Sequence, residues 1–311
     1  MRVLFVFLDG VGLGEADEAV NPFAAAHTPF LAEWLGGRLT RNLEEVREER
    51  FVVTQTDATL GVEGLPQSAT GQTALLTGKN GATIMERHYG PWPGPTLKRE
   101  LDKGTLFSEV VEAGKRAALA NVYPRGYFWA LENGKQKLNV PVYSARAAGV
   151  RLRTEADYGR AEALSADLTG AYLHAQNAKM PLRTPEESGA HLAALAGQND
   201  FTFLDFWTTD RAGHRWSLAE STALVEQLDA FFSGLVSALE ADKKGEVTLL
   251  VTSDHGNLED KTTKSHTKNP VPLIALGPSA HLFRDASSLL DVAPAVRRAL
   301  RLRNQPVSAA T

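Results

Sequence analysis

The feature that most constrains this chain is the run Val3-Leu4-Phe5-Val6-Phe7-Leu8, six apolar residues that end abruptly at Asp9. A strand sends alternate side chains to opposite faces, so a run that is apolar at every position must be covered on both sides. Its shortness and its β-branched and aromatic content read as a buried strand. Phe51–Gln55, Ala117–Tyr123, Phe201–Phe206, Val247–Thr252 and Pro272–Leu276 read as further strands. Helices are expected at Ser68–Thr77, which starts at a serine and stops before Gly78, and at Thr105–Lys115, Thr184–Ala196, Ser217–Glu240 and Ser287–Leu300. The strongest is Ser217–Glu240, where Leu218, Leu224, Val225, Leu228, Phe231, Phe232, Leu235 and Leu239 recur at helical spacing. Strand and helix alternate at both ends of the chain, which predicts an α/β fold with a mostly parallel sheet and helices on its faces.

The middle of the chain is less regular. Lys79–Leu101, rich in glycine and proline, is expected to be loop, and residues 124–183 give mixed signals that suggest a small cap or insertion. The expected division is a core of 1–123 and 184–302, the cap 124–183, and a frayed tail 303–311.

The chain has 311 residues, enough for one large domain, and 33 basic against 37 acidic side chains leave a net charge of −4. That balance argues against a nucleic-acid partner. The absence of cysteine removes disulfides, cysteine-rich zinc sites, iron–sulfur clusters and thiol nucleophiles, and fits a reducing compartment. The apolar run after Met1 is shorter than the roughly 7–15 residues of a signal peptide, and no run approaches the ~18 residues of a membrane span. A cytoplasmic protein with no membrane partner is therefore expected.

Two familiar motifs fail. Gly10, Gly12 and Gly14 follow a strand, but the dinucleotide fingerprint needs a glycine where Glu15 stands. Gly78-Lys79 lacks the rest of a phosphate loop, with Thr73 in place of its first glycine and Asn80 in place of its hydroxyl residue.

Four polar clusters lie where strands end or helices begin. They are Asp9; Ser68 in Gln67-Ser68-Ala69-Thr70-Gly71; Asp210-Arg211-Ala212-Gly213-His214; and Asp254-His255-Gly256-Asn257 with Ser265-His266-Thr267. Ligands of open parallel sheets bind outside the carboxyl ends of the strands, so three of these clusters can share one rim. Each residue alone has an ordinary use, as a turn, a helix cap or an i,i+4 polar pair. Together, three aspartates, three histidines and a serine suit manganese, zinc or iron(II), and exceed the needs of a single tetrahedral ion. Two divalent ions would bring roughly +4 against the −4 of three carboxylates and an ionised serine.

Phe7-Leu8-Asp9-Gly10-Val11-Gly12, Gln67-Ser68-Ala69-Thr70-Gly71, Asp254-His255-Gly256-Asn257, and His266-Thr267 with Asn269-Pro270-Val271-Pro272 resemble the motifs of the metalloenzyme branch of the alkaline phosphatase superfamily. Cofactor-independent phosphoglycerate mutase and phosphopentomutase are similar members. The resemblance implies a three-layer alkaline-phosphatase-like core and two divalent metal ions, Mn2+ or Zn2+. By position, Asp9, Ser68, Asp254 and His255 would hold one ion, and Asp210, His214 and His266 the other. Ser68 would be the catalytic nucleophile. The implied activity is phosphoryl transfer on a small phosphorylated metabolite through a phosphoserine, as a mutase or a phosphatase. A phosphodiesterase, a sulfatase-type hydrolase or a non-catalytic metal-binding relative are the alternatives, and the oligomeric state stays open. Lys79, Arg87 and Arg125 are candidate substrate-binding residues, with Lys98 and Arg146 as further cations, and Trp92, Trp129, Trp207 and Trp216 are candidate pocket walls.

Overall fold

The computed structural model describes residues 1–242 and 244–302; the tail 303–311 lies outside the described residues. Seven strands, β1 (Arg2–Leu8), β2 (Val46–Arg47), β3 (Phe51–Thr56), β4 (Ala117–Leu119), β5 (Phe201–Phe206), β6 (Val247–Thr252) and β7 (Val271–Leu276), form one sheet in the order β2-β3-β7-β6-β1-β5-β4. β1 lies inside this arrangement, between β6 and β5, as its two-faced apolar run demands. Val3, Phe5 and Phe7 face one layer with Leu75, Leu76, Phe107 and Val292. Leu4, Val6 and Leu8 face the opposite layer with Leu192, Leu224, Leu228 and Phe232. The result is three layers, helix, sheet and helix.

The sheet is mixed. β1 pairs in parallel with β5 and β6, and β4 with β5, but β7 is antiparallel to both β6 and β3, and β2 is antiparallel to β3. The mostly parallel sheet that strand–helix alternation suggests is present in β1, β4, β5 and β6, and β7 is the strand that reverses. No helix intervenes between β6 and β7, so the chain simply turns back. Tracing the pairings, β1, β3, β4, β5 and β6 still run the same way. Their carboxyl ends share one edge, and the return loop 253–270 is laid across it.

Most elements fall where the sequence places them, with instructive differences. Lys79–Leu101 holds two short helices, Gly81–Ile84 and Pro95–Leu101. Asn80 caps the first by accepting from the Thr83 N–H, and a proline opens the second, where its missing N–H costs nothing. The fourth strand stops at Leu119, because Asn121 and Val122 pair only through isolated bridges to Leu164 and Arg153. Ser287–Leu300 divides into a 3₁₀ turn, Leu289–Asp291, and a helix, Val292–Leu300.

Within 124–183 the helix Val140–Ala147 feeds Val140, Val142 and Ala145 into the main core. Tyr158, Ala163 and Leu173 form a small cluster of their own. Among the described residues no helix is long and apolar enough to cross a membrane.

Candidate metal centre

Four carboxyl-end loops meet at one place. Asp9 follows β1, and its N–H still donates to the Phe206 carbonyl of β5 (3.2 Å). Ser68 is the first residue of the helix Ser68–Thr77, with Gln67 as the cap, so its side chain is free of backbone capping. Its Oγ lies 3.0 Å from His255 Nε2. The same nitrogen is 3.5 Å from Asp9 Oδ1 and 3.6 Å from Asp254 Oδ2. Beside this group, His214 Nε2 is 3.1 Å from His266 Nε2, and the two lie 3.4 and 3.6 Å from Asp210 Oδ1. The rings of His255 and His266 stack with centroids 3.7 Å apart, joining the two halves. Asp9, Asp254 and His255 can each offer an atom to a single ion, and so can Asp210, His255 and His266.

The chemistry of these donors fits cations. His266 Nδ1 sits 2.7 Å from the Pro66 carbonyl and His214 Nδ1 2.7 Å from the Lys264 carbonyl. A carbonyl only accepts, so Nδ1 carries the proton in both rings and Nε2 presents a lone pair. Two lone pairs then face each other at 3.1 Å, which is repulsive unless something positive lies between them. The carboxylates carry the same message. Asp9 Oδ1 is buried without a hydrogen-bond partner. Burial, and then the charges of Asp254 and Asp210, push the Asp9 carboxyl far above its ordinary value. Burial and Asp210 raise Asp254 to about 8. Burial and the neighbouring His266 hold the His255 imidazole well below its usual value, so it stays a neutral ligand. A divalent cation would relieve all three groups at once.

The residues that hold the candidate ligands in place include two outside the quoted motifs, Glu259 and Gln72. Glu259, buried, accepts from the N–H groups of Gly12 (3.0 Å) and Asn257 (2.8 Å), the Thr267 hydroxyl, and the Asn269 amide (2.9 Å). It thereby ties the loop after β1 to both ends of the β6–β7 return. Gln72, one turn beyond Ser68, donates to Asp254 Oδ2 (3.1 Å) and Asp9 Oδ2 (3.4 Å). Asn257 donates to Asp210 Oδ1 at 2.6 Å. The spacing of Gln72 from Ser68 puts both on one helix face and was a usable signal; Glu259 had none. Close approach needs glycine. At Gly10, with φ +68°, a Cβ would stand 2.7 Å from Asp210 Oδ1, and at Gly71 one would stand 2.9 Å from Asp254 Cβ.

The three substrate-binding candidates fare differently from the ligands. Lys79 follows the far end of the helix that Ser68 opens, roughly 15 Å away along its axis, and pairs with Glu100 instead (3.4 Å). Arg125 is exposed at the start of the helix Arg125–Glu132, with its N–H donating to Glu155 Oε1 (3.3 Å). Arg87 is exposed with its guanidinium 5.8 Å over the Tyr89 ring, whose backbone carbonyl accepts from the Thr70 N–H (3.1 Å). Of the three, only Arg87 stands on a loop that touches the first turn of the Ser68 helix.

Known proteins resemble this chain in part of its sequence and in its fold. Residues 177–304, which carry Asp210, His214, Asp254, His255 and His266, match the family model described as the metalloenzyme superfamily. Solved structures that resemble the whole chain include alkaline phosphatases from the Antarctic bacterium TAB5 (TM-score 0.55, 14% identity, 98% of each chain covered) and Thermus thermophilus (TM-score 0.58, 12% identity, 98% of this chain and 92% of that one). The fold is that of the alkaline phosphatases. The PH0037 protein from Pyrococcus horikoshii shares it, with a TM-score of 0.55 at 16% identity over 98% of both chains. Curated sequence relatives include 2,3-bisphosphoglycerate-independent phosphoglycerate mutases of Cereibacter sphaeroides (32% identical over 128 residues, 39% of this chain) and Rhodopseudomonas palustris (33% over 129 residues, also 39%). This chain spans about a quarter of the length of these relatives. The resemblance to the metalloenzyme branch read from the motifs therefore holds.

Proposed function

We propose that the chain is a metal-dependent phosphoryl-transfer enzyme, a phosphomutase or phosphohydrolase, acting on a small phosphomonoester through a phosphoserine at Ser68. One observation carries this reading: a serine hydroxyl stands 3.0 Å from His255 Nε2, at the start of a helix, among three carboxylates. Asp9, Ser68, Asp254 and His255 would hold one divalent cation, and Asp210, His214 and His266 the other, with His255 close enough to the second group to serve either. When bound, Mn2+ or Zn2+ would supply the positive charge that ionises the serine hydroxyl and neutralises the phosphoryl oxygens.

The chain's own groups do the rest. The helix start at Ser68 favours an anion beside the hydroxyl. Ser68 Oγ forms the bond to phosphorus as the ester oxygen leaves with its electron pair and takes a proton. Water attacking the resulting phosphoserine completes hydrolysis, and a second hydroxyl completes a mutase cycle. Gln72 and Asn257 fix the carboxylates that flank the hydroxyl, so little reorganisation is needed as charge develops. The segment 124–183 would act as the cap on the leaving-group side.

The test is incubation with Mn2+ and p-nitrophenyl phosphate, followed by intact-mass and peptide analysis. Release of p-nitrophenol together with phosphate on Ser68 is the expected result. No phosphoserine and no product release from any monoester would overturn the reading. A strong preference for diesters or sulfate esters would move it to another hydrolase, and bound metal with no turnover would make the chain a binding protein.

A further inference from the structure

Of the second group of donors, Asp210 and His214 both stand on the helix Thr208–Arg215, which has only eight residues. A helix of that length makes too few internal hydrogen bonds to hold its own shape. Its task is nonetheless exacting. His214 stands one turn beyond Asp210, and its Nε2 lies within 3.4 Å of Asp210 Oδ1 and 3.1 Å of His266 Nε2. Fraying of the last turn would carry His214 away and leave Asp210 where it is.

Two side chains of the β6–β7 return loop grip the two ends of this helix. At the first turn Asn257 Nδ2 donates to the Asp210 carbonyl (3.1 Å) and to Asp210 Oδ1 (2.6 Å). At the last turn Lys261 Nζ donates to the carbonyls of Ala212 (2.8 Å) and Gly213 (2.9 Å). Carbonyls at the end of a helix lack partners further along it, and a cation is favoured beside them. Lys261 is half-buried, and its own N–H donates to the Val20 carbonyl (2.9 Å), which fastens its backbone to the segment after β1. Burial draws its ammonium below the ordinary value, so the two carbonyls compensate for lost water. The helix also lies hard against the loop, since a Cβ at Gly213 would stand 2.4 Å from Asn257 Cγ.

Three residues beyond Lys261, the Lys264 carbonyl accepts from His214 Nδ1 (2.7 Å). One loop thus holds both the end of the helix and the ring that the helix presents. We infer that Lys261 is a positioning residue for the second cation: it fixes the last turn of the helix Thr208–Arg215 against the return loop, and through that turn the His214 ring. The first group is braced elsewhere, by Gln72 on Asp9 and Asp254. The inference rests on the two-cation reading of the centre and is independent of which ester is the substrate.

Calorimetric titration with Mn2+ alone tests it, on the wild type, on Lys261→Met, which keeps most of the aliphatic stem and loses the ammonium, and on His214→Ala, which identifies the second ion by weakening it. Lys261→Met should bind the second ion about tenfold or more weakly, with the affinity for the first within about threefold of the wild type. In turnover of p-nitrophenyl phosphate, the Mn2+ concentration giving half-maximal rate should rise by a similar factor, with most of kcat recovered at saturating Mn2+. A lysine that only stabilises the fold would lower the melting temperature and leave both affinities alone or weaken both equally, and either result overturns the inference. Should Lys261→Met not fold, Lys261→Gln is judged by the same criteria. A wild type that binds fewer than two ions overturns both the inference and the two-cation centre. A weakened second ion with no turnover of any ester would sink phosphoryl transfer and leave the role of Lys261 standing.

Discussion

The two halves of the candidate centre use the same residue types in opposite surroundings. Asp254 and His255 are fully buried beside Asp9, whereas the side chains of Asp210 and His214 are 20% and 35% exposed. The buried half is held from three sides, by β1, by the Ser68 helix through Gln72, and by the β6–β7 return. The open half joins one short helix, Thr208–Arg215, which carries Asp210 and His214, to the buried His266 of the return loop, and is braced by Asn257 and two backbone carbonyls. Burial makes a carboxylate or an imidazole costly to leave without its counter-charge, so the inner half should depend on a cation far more strongly than the outer half. Cations bound here would be held more firmly in the inner half than in the outer half, which lies nearer solvent.

The widest separation of the two halves should come from alanine at their histidines. His255→Ala removes a donor shared by both groups, and activity should fall at least about a thousandfold with loss of bound metal measured by elemental analysis. His214→Ala should cost roughly ten- to a hundredfold and retain one ion per chain. Equal losses would break the comparison.

Glu259→Gln tests whether the anchoring carboxylate, rather than the ligands alone, sets affinity. Four donors converge on Glu259, and metal affinity in titration should weaken roughly ten- to a hundredfold.

Proton linkage sharpens the contrast further. In metal-free protein Asp9 and Asp254 stay protonated where the unfolded chain has ionised. The stability they provide is complete below an unfolded value of about 4 and is lost as pH rises toward the folded value of about 8 at Asp254. His255 acts with the opposite sign, its contribution being present above about 6.5 and lost as pH falls. Between pH 6.5 and 8 only the carboxylates act, so the metal-free melting temperature should fall across that window. Saturating Mn2+, which binds the deprotonated ligands, should flatten or reverse the fall. At a hundredfold excess over its dissociation constant the ion adds about 2.7 kcal/mol.

The smallest effects belong to the cations away from the centre. Lys79→Ala and Arg125→Ala should each change kcat/KM by less than about threefold, because Lys79 forms a half-buried ion pair with Glu100 and Arg125 is exposed at the start of the helix Arg125–Glu132. A larger loss at either would place substrate beside that cation.

Much of this was legible in the chain. The apolar run 3–8 required a sheet covered on both faces, and the helix Ser68–Thr77 has the bounds its serine start and Gly78 stop imply. The polar clusters at strand ends announced a rim. Lys79 read as a candidate for the opposite reason: lysine near a nucleophile motif looks relevant until ten residues of helix are laid between them. Glu259 and Lys261 gave no signal, since a single glutamate or lysine in a loop looks like an ordinary surface residue until its contacts are known.

By itself, the sequence determined the kinds of donor available, the strands and helices that carry them, and the end of each strand at which they sit, because periodicity and residue type are local properties. Only the tertiary structure decided that β7 turns back and lays the 253–270 loop across the rim, that His255 stands between two groups of ligands, and that Lys261 reaches the carbonyl end of the helix Thr208–Arg215. Those outcomes depend on strand register and on which distant side chains exclude water from one another. Such pairings between segments as much as 247 residues apart leave no periodic trace along the chain.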